Sequence, residues 1–189
     1  MDFDFTDDQR TIQDVAQRFA AERLAPGFME RDAGGPLDRG LIEEMGALGL
    51  IAAEMPEEFG GSGVDSVTAG LIIEAISQAD LNVGYIPLLT GLVGAILVQH
   101  AAPETARTVV SDACAGRTLL ALALTEPGGG SDAANLRLKA SRTNDGYMLN
   151  GEKTSISIAD QADAALVFAR TGTEADRAHG ISAFLVARG

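Results

Sequence analysis

The chain has 189 residues, room for one domain or two small ones. Apolar residues make up 46%, which supports a packed core and argues against disorder. The net charge of −13 argues against nucleic acid or an anionic membrane as the main partner and is read as an aid to solubility.

The first 117 residues read as helical. Thr6-Asp-Asp-Gln9 has the form of a capping box, with Thr6 as N-cap and Gln9 reaching back. Ile12, Val15, Ala16 and Phe19 then share one helical face, and Pro26-Gly27 is expected to stop that helix. A second helix is predicted from about Leu37 to Leu48, with Leu41, Ile42, Met45 and Leu48 as its buried stripe and Gly49 as its stop. Residues 55 to 63 form a turn-rich loop. Val67 to Ser77 and Val83 to Val98 read as two more helices. The second of these is almost wholly apolar, but it contains Pro87 and three glycines and is shorter than the ~20 residues a bilayer crossing needs. It is expected to be a buried core helix, with no membrane insertion. Pro103 and Gly116 frame a fifth helix. The lone cysteine, Cys114, excludes an intrachain disulfide, fits a reducing compartment and reads as core rather than nucleophile. Residues 1 to 8 carry acidic residues and no basic cluster, so no signal peptide is read and a cytoplasmic location is expected.

From residue 118 to 189 the apolar period becomes two. Leu120, Leu122 and Leu124 alternate with alanines; Leu136, Leu138 and Ala140 alternate with Arg137 and Lys139. Asp145-Gly146 marks a tight hairpin. Ile156 and Ile158 alternate with Ser155 and Ser157, and Ala164 to Ala169 and Ile181 to Val186 read as strands joined by a polar loop at 171 to 180. The expected class is α+β: an all-helical N-terminal domain, 1–117, followed by an antiparallel, barrel-like β-domain, 118–189. The sequence stops at Gly189 straight after a strand, so the β-domain is expected to be incomplete and the chain to be the front part of a longer protein.

Two constellations carry chemistry. Ala123-Leu-Thr-Glu-Pro-Gly-Gly-Gly-Ser-Asp132 places bare backbone amides before a hydroxyl, a mould suited to a phosphate or pyrophosphate. It is not a P-loop, because Ser131 follows the last glycine where a lysine is required, and it leads into a strand pattern rather than the helix of a dinucleotide fingerprint. A plain glycine-rich loop remains the alternative. In Gly151-Glu-Lys-Thr-Ser-Ile-Ser-Ile158, isoleucines facing a core would turn Ser155 and Ser157 the other way, where two hydroxyls could meet a planar heterocycle or simply water. His100 and His179 fit no catalytic position, the first ending a helix and the second lying in a polar loop. No metal site is read.

Together these segments resemble the acyl-CoA dehydrogenase family of flavoproteins. Residues 123 to 132 match its flavin-binding signature, although Asn135 departs from the small residue usual at the end of that signature. Tyr147-Met-Leu-Asn-Gly-Glu-Lys-Thr154 looks like its hairpin into a second flavin-contacting strand, Pro56-Glu-Glu-Phe-Gly-Gly61 like its early loop and Phe5-Thr-Asp-Asp-Gln9 like its start. The resemblance implies FAD as cofactor, an acyl-CoA thioester as substrate, electron-transferring flavoprotein or a similar acceptor, and a homotetramer. It implies that Leu122 to Ser131 wrap the flavin and its pyrophosphate: Leu124 and Thr125 at the ring, Gly130 and Ser131 at the pyrophosphate, with Ser131 also touching the CoA arm. Ser155, Ile156 and Ser157 would lie beside the ring, with Ser157 bonding flavin N5, where a donor stabilises developing negative charge. Ser155 stands where many members carry a large aromatic; either another residue fills that gap or the substrate is bulkier there, as a branched or cyclic acyl group would be. The family's catalytic glutamate lies in a C-terminal helical domain outside these residues, so Glu126 is not assigned as the base. A flavin oxidase or monooxygenase on the same fold, or a non-catalytic partner-binding relative, would share these features.

Overall fold

A computed structural model describes residues 4–189; the first three residues of the acidic start lie outside the described residues. The chain divides into two compact units, Met1–Leu119 and Leu120–Gly189.

The first unit is helical. Helix α1 (Asp7–Phe19) begins with the capping box: the Thr6 hydroxyl accepts from Gln9 N at 3.2 Å, and the Gln9 amide oxygen accepts from Thr6 N at 3.0 Å. Ala16 and Phe19 on its apolar face are buried. Pro26 does not end the helical path. The chain passes through one π turn (Ala20–Leu24) and one 3-10 turn (Ala25–Gly27) into a short α2 (Phe28–Asp32) that the sequence pattern did not reveal. Proline at the start of a new turn removes only a donor that lacks a partner anyway, so it redirects the helix instead of stopping it.

Helix α3 (Arg39–Ala47) is capped by the Asp38 carboxylate, and Leu41, Ile42 and Met45 are buried. Leu48, expected in that stripe, is 49% exposed, because the helix has already ended and the chain turns there into Gly49 at φ +70°. Helices α4 (Ser66–Ala79) and α5 (Leu81–His100) are separated by the single residue Asp80. Its backbone N–H closes α4 on Ile76 O, and its carboxylate caps α5 by accepting from Asn82 N and Val83 N. Asp80 is fully buried, and its other oxygen receives Arg31 Nε at 2.5 Å; Arg31 also donates to Leu24 O.

At 20 residues and a mean hydropathy of 1.9, α5 is long and apolar enough to cross a membrane. The length argument against a span therefore fails. Burial is what marks α5 as a core helix: Val83, Ile86, Leu89, Val93 and Leu97 are enclosed. Helix α6 (Pro103–Cys114) has proline in its first turn, and Gly116 follows at φ +75°. Cys114 is buried, and burial, followed by the Glu54 charge, pushes its thiol up to about 11, so it is packing and not a nucleophile.

The second unit is one open five-stranded sheet: β1 (Leu120–Ala123), β2 (Lys139–Arg142), β3 (Tyr147–Asn150), β4 (Ala164–Arg170) and β5 (Ile181–Ala187). The α+β class holds, with a sheet that is mixed and not closed. β5 lies antiparallel along all of β4, from Ala164↔Ala187 to Arg170↔Ile181. The other edge of β4 is shared end to end: β1 runs parallel beside Ala164–Val167, and β2 meets it, also parallel, at Arg170. Alternation along a strand states which face is buried but not which way its neighbour runs, so the parallel pairs were not legible as such. The Asp145-Gly146 hairpin forms, with β2 and β3 antiparallel and Thr143 N donating to Gly146 O at 2.9 Å. Leu138, Ala140 and Ala169 make a small core with Leu149, Val167 and Phe184 packed on it.

Candidate active site

The glycine segment leaves β1 and makes a tight turn. Glu126 and Gly129 exchange both backbone hydrogen bonds, at 3.1 and 3.0 Å, with Pro127 and Gly128 between them. Gly129 has φ +152°, which a side chain would strain, and a Cβ on Gly130 would approach the Thr125 side chain to 3.2 Å. Among the described residues, the N–H groups of Gly128, Gly130 and Ser131 meet no acceptor within the chain. Gly128 and Ser131 are exposed. Three donors without partners at a bare turn, one beside a hydroxyl, fit the phosphate end of a nucleotide cofactor.

The second segment is not a strand. From Gly151 to Asp163 the backbone is irregular, and Ser155 and Ile158 sit at φ +53° and +52°. Two left-handed residues break the alternation on which the strand expectation rested. A serine tolerates this conformation poorly and a β-branched isoleucine worse, so the segment is shaped by its anchors and not by local preference. Turn bonds from Gln161 N and Ala162 N, both 2.9 Å to Ile158 O, hold its far end. Gly151 holds its near end: a Cβ there would lie 2.8 Å from Leu138 Cα, and φ is +148°.

The two segments are bonded to each other. Thr154 N donates to Thr125 O at 3.0 Å, and Lys153 Nζ donates to Leu124 O at 2.9 Å and to Glu126 Oε1 at 2.9 Å. The Glu126 carboxylate also accepts from Leu138 N at 2.9 Å and Arg137 N at 2.6 Å. Burial pushes this carboxyl's pKa up, but the Leu138 N–H, the Lys153 ammonium and the Arg137 N–H outweigh it and hold it below the ordinary carboxylate value. A carboxylate held by three donors and kept ionised is a poor proton acceptor, which agrees with leaving Glu126 out of the base role.

Of the sequence-predicted residues, Leu122 lies in β1, and Leu124 and Thr125 follow it, all half-buried. Gly130 is half-buried and Ser131 exposed at the turn; Ser155 is exposed, with Ile156 and Ser157 half-buried. Lys153 was missed, because one lysine next to a hydroxyl-rich run reads as solvated. Arg170 was missed too. It is 6% exposed and donates to Leu136 O, Ala134 O, Thr173 O and Arg177 O, tying the exit of the glycine loop to the 173–177 turn. Its signal was available: a lone arginine at the end of the apolar run Ala164–Ala169. His179 lies in the exposed 3-10 segment before β5, and His100 is the exposed last residue of α5.

Comparisons with known proteins agree with this geometry. The N-terminal domain of acyl-CoA dehydrogenase matches residues 6–117, and the middle domain of the same enzyme matches residues 121–189. Benzylmalonyl-CoA dehydrogenase of Aromatoleum aromaticum is 34% identical over 92% of this chain and 46% of its own length. The structure of butyryl-CoA dehydrogenase from Megasphaera elsdenii superposes with a TM-score of 0.87 at 34% identity, over 100% of this chain and 50% of that one. PigA, solved with FAD and proline, superposes at 0.88 with 28% identity, again over 100% and 50%. The chain thus spans about half the length of the relatives it matches. Two family domains in sequence, covering nearly every residue, establish that the chain belongs to the acyl-CoA dehydrogenase family.

Proposed function

We propose that the protein carrying this chain is an FAD-dependent dehydrogenase that desaturates an acyl-CoA thioester between its α and β carbons. The observation that carries the reading is the Thr154 N–H to Thr125 O bond, with Lys153 on Leu124 O, which brings the glycine turn and the Ser155–Ser157 segment to one place. FAD, when bound, supplies the hydride acceptor. This chain's part is to hold and orient it. The free amides of Gly128, Gly130 and Ser131 offer donors to the pyrophosphate. The Leu124–Thr125 backbone and the Thr125 hydroxyl would hold the ring edge, and the Ser157 hydroxyl would donate where negative charge develops. Ser131 would also meet the CoA arm. A glutamate outside this chain would take the α-proton, and an electron-transferring flavoprotein or similar acceptor would receive the electrons.

The purified full-length protein is expected to be yellow, absorbing at about 450 nm, and to bleach with an acyl-CoA substrate under nitrogen. A colourless, folded protein overturns the reading in favour of a partner-binding relative. Within it, the substrate carries a branched or cyclic acyl group. Ser155 is small where many family members carry a large aromatic, and a relative at 34% identity is named for a benzyl-bearing thioester. A clear preference for straight-chain over alicyclic thioesters defeats this part. A second reading is a flavin oxidase or monooxygenase on the same fold; the likeness to PigA, solved with FAD and proline, supports only that this fold accepts a ligand other than an acyl-CoA thioester. Rapid peroxide formation when reduced protein meets oxygen would favour it.

A further inference from the structure

The geometry points to Lys153, through its ion pair with Glu126, as the positioning residue that sets the distance between the two flavin-facing segments. This rests on the FAD reading above. Both side chains are 9% exposed. A buried ion pair gains little over apolar packing of equal volume, so its presence calls for a purpose other than stability. Its bonds supply one. Lys153 spends one donor on Leu124 O and another on Glu126, and Glu126 spends its remaining capacity on Leu138 N and Arg137 N. Three stretches meet at the pair: 124–126, 137–138 and 153–154.

Each stretch leads straight into a ligand-facing part. Leu124 and Thr125 are the ring edge. Glu126 is one end of the glycine turn, whose reciprocal bonds with Gly129 aim the free amides. Thr154 is followed at once by Ser155, whose left-handed backbone starts the segment that ends in Ser157. A sheet ladder does this work elsewhere in the unit, but residues 151–163 have none. The bonds of Lys153 and Thr154, together with the close approach of Gly151 to Leu138, fix where the segment begins. Lys153 touches neither the phosphate turn amides nor Ser157, so it acts through its neighbours.

The test uses the full natural protein in three forms: unmodified, K153R, and K153M/E126Q. The double variant removes both charges and leaves one side-chain amide oxygen at position 126, which can accept from Leu138 N or from Arg137 N but not from both. FAD affinity is measured by flavin fluorescence, ring environment by visible circular dichroism and folding by a thermal melt. For the double variant we expect a melting temperature close to the native one, an FAD Kd raised at least about tenfold, and an altered visible dichroism. K153R should return the Kd to within about threefold while keeping a displaced dichroism. If the folded double variant keeps the native Kd and dichroism, the positioning role is overturned. It is equally overturned if Kd changes only in proportion to lost melting temperature. Should the double variant not fold, K153R decides: native dichroism overturns the role, and displaced dichroism at native melting temperature supports it. Failure of the unmodified protein to take up FAD overturns both this inference and the reading it rests on, whereas native uptake with unchanged variants overturns this one alone.

Discussion

The two units use buried charge for different ends. In the helical unit, Arg31 and Asp80 meet where α4 hands over to α5, and every bond of the pair closes a helix end: Leu24 O, Asn82 N, Val83 N. In the β unit, Glu126–Lys153 and Arg170 bond loops that have no ladder of their own. The helical unit can rest on a continuous core from Ala16 to Cys114, and its ion pair tidies the joints. In the β unit the buried apolar residues lie in or beside the strands, such as Leu120, Leu138, Leu166 and Ala169, and none lies between Gly151 and Gln161, so polar bonds take over the placing of that working segment. Rigid packing needs few directional contacts; a ligand-facing loop needs many.

The comparison breaks most visibly at Asp80. D80A strands the Arg31 guanidinium, which is only 9% exposed, and removes the cap of α5. Loss of one partner of a buried pair costs about 3–5 kcal/mol, so the melting temperature should fall further than in any single-residue variant of the β unit's loops. A fall no larger than that of an exposed-pair variant such as R23A, whose partner Glu44 is on the surface, would show that the joint is not held by charge. In the β unit the corresponding breakage is steric. G151A forces a Cβ against Leu138 Cα and demands φ +148° of an alanine. A loss of about 2 kcal/mol is expected in a denaturant melt, with weaker flavin binding alongside. Unchanged stability would mean that the segment entering Ser155 is free to move.

Ile158 sharpens the contrast in the other direction. Its left-handed backbone is held by the turn bonds that Gln161 N and Ala162 N make to Ile158 O, and asparagine tolerates that conformation better than isoleucine. I158N should stabilise the protein by about 1 kcal/mol, less whatever the half-buried isoleucine contributes by packing. Destabilisation would show that its apolar contacts outweigh the strain.

The helical half was legible because its signals are local. Thr6 and Gln9 form the box their spacing announces, and Pro103 and Gly116 sit at the ends they suggest. Misses there were also local: Leu48 lies one residue past a helix end, and Pro26 turns the chain without halting it. The β half was legible strand by strand but not in its wiring. That β1 and β2 share one edge of β4 depends on contacts more than forty residues apart for β1 and about thirty for β2. At the site, the glycine turn was visible because three glycines in a row stand out, and Gly129 takes a backbone conformation that other residues rarely adopt. Ser155–Ile158 misled because serine–isoleucine alternation imitates a strand while two of its four residues are left-handed. Lys153 gave no sign, since its meaning lies in partners 27 and 29 positions away.

Acid offers the finest cut between the two units, because each holds a carboxyl whose pKa is depressed. In the helical unit, Asp65 is lowered by the Thr68 hydroxyl and then the Thr68 N–H; it is a surface cap, open to water. In the β unit, Glu126 is lowered against its own burial by Leu138 N–H, Lys153 and Arg137 N–H. For both, the native state favours the ionised form more than the unfolded chain does. Their contribution is therefore complete above the ordinary carboxylate pKa of about 4 and is lost as pH falls through the lower native value. Removing the titration removes that dependence, so stability against pH should run flatter below about pH 5 in D65N and in E126Q than in the unmodified protein. The two variants should separate in flavin dichroism. Protonating or replacing Asp65 frays the start of α4 and leaves the flavin segments alone. Protonating Glu126 releases Lys153, and with it the spacing between Thr125 and Ser155. A dichroism change on acidification that survives in E126Q would place the acid-sensitive link elsewhere and take the ion pair out of the site's geometry.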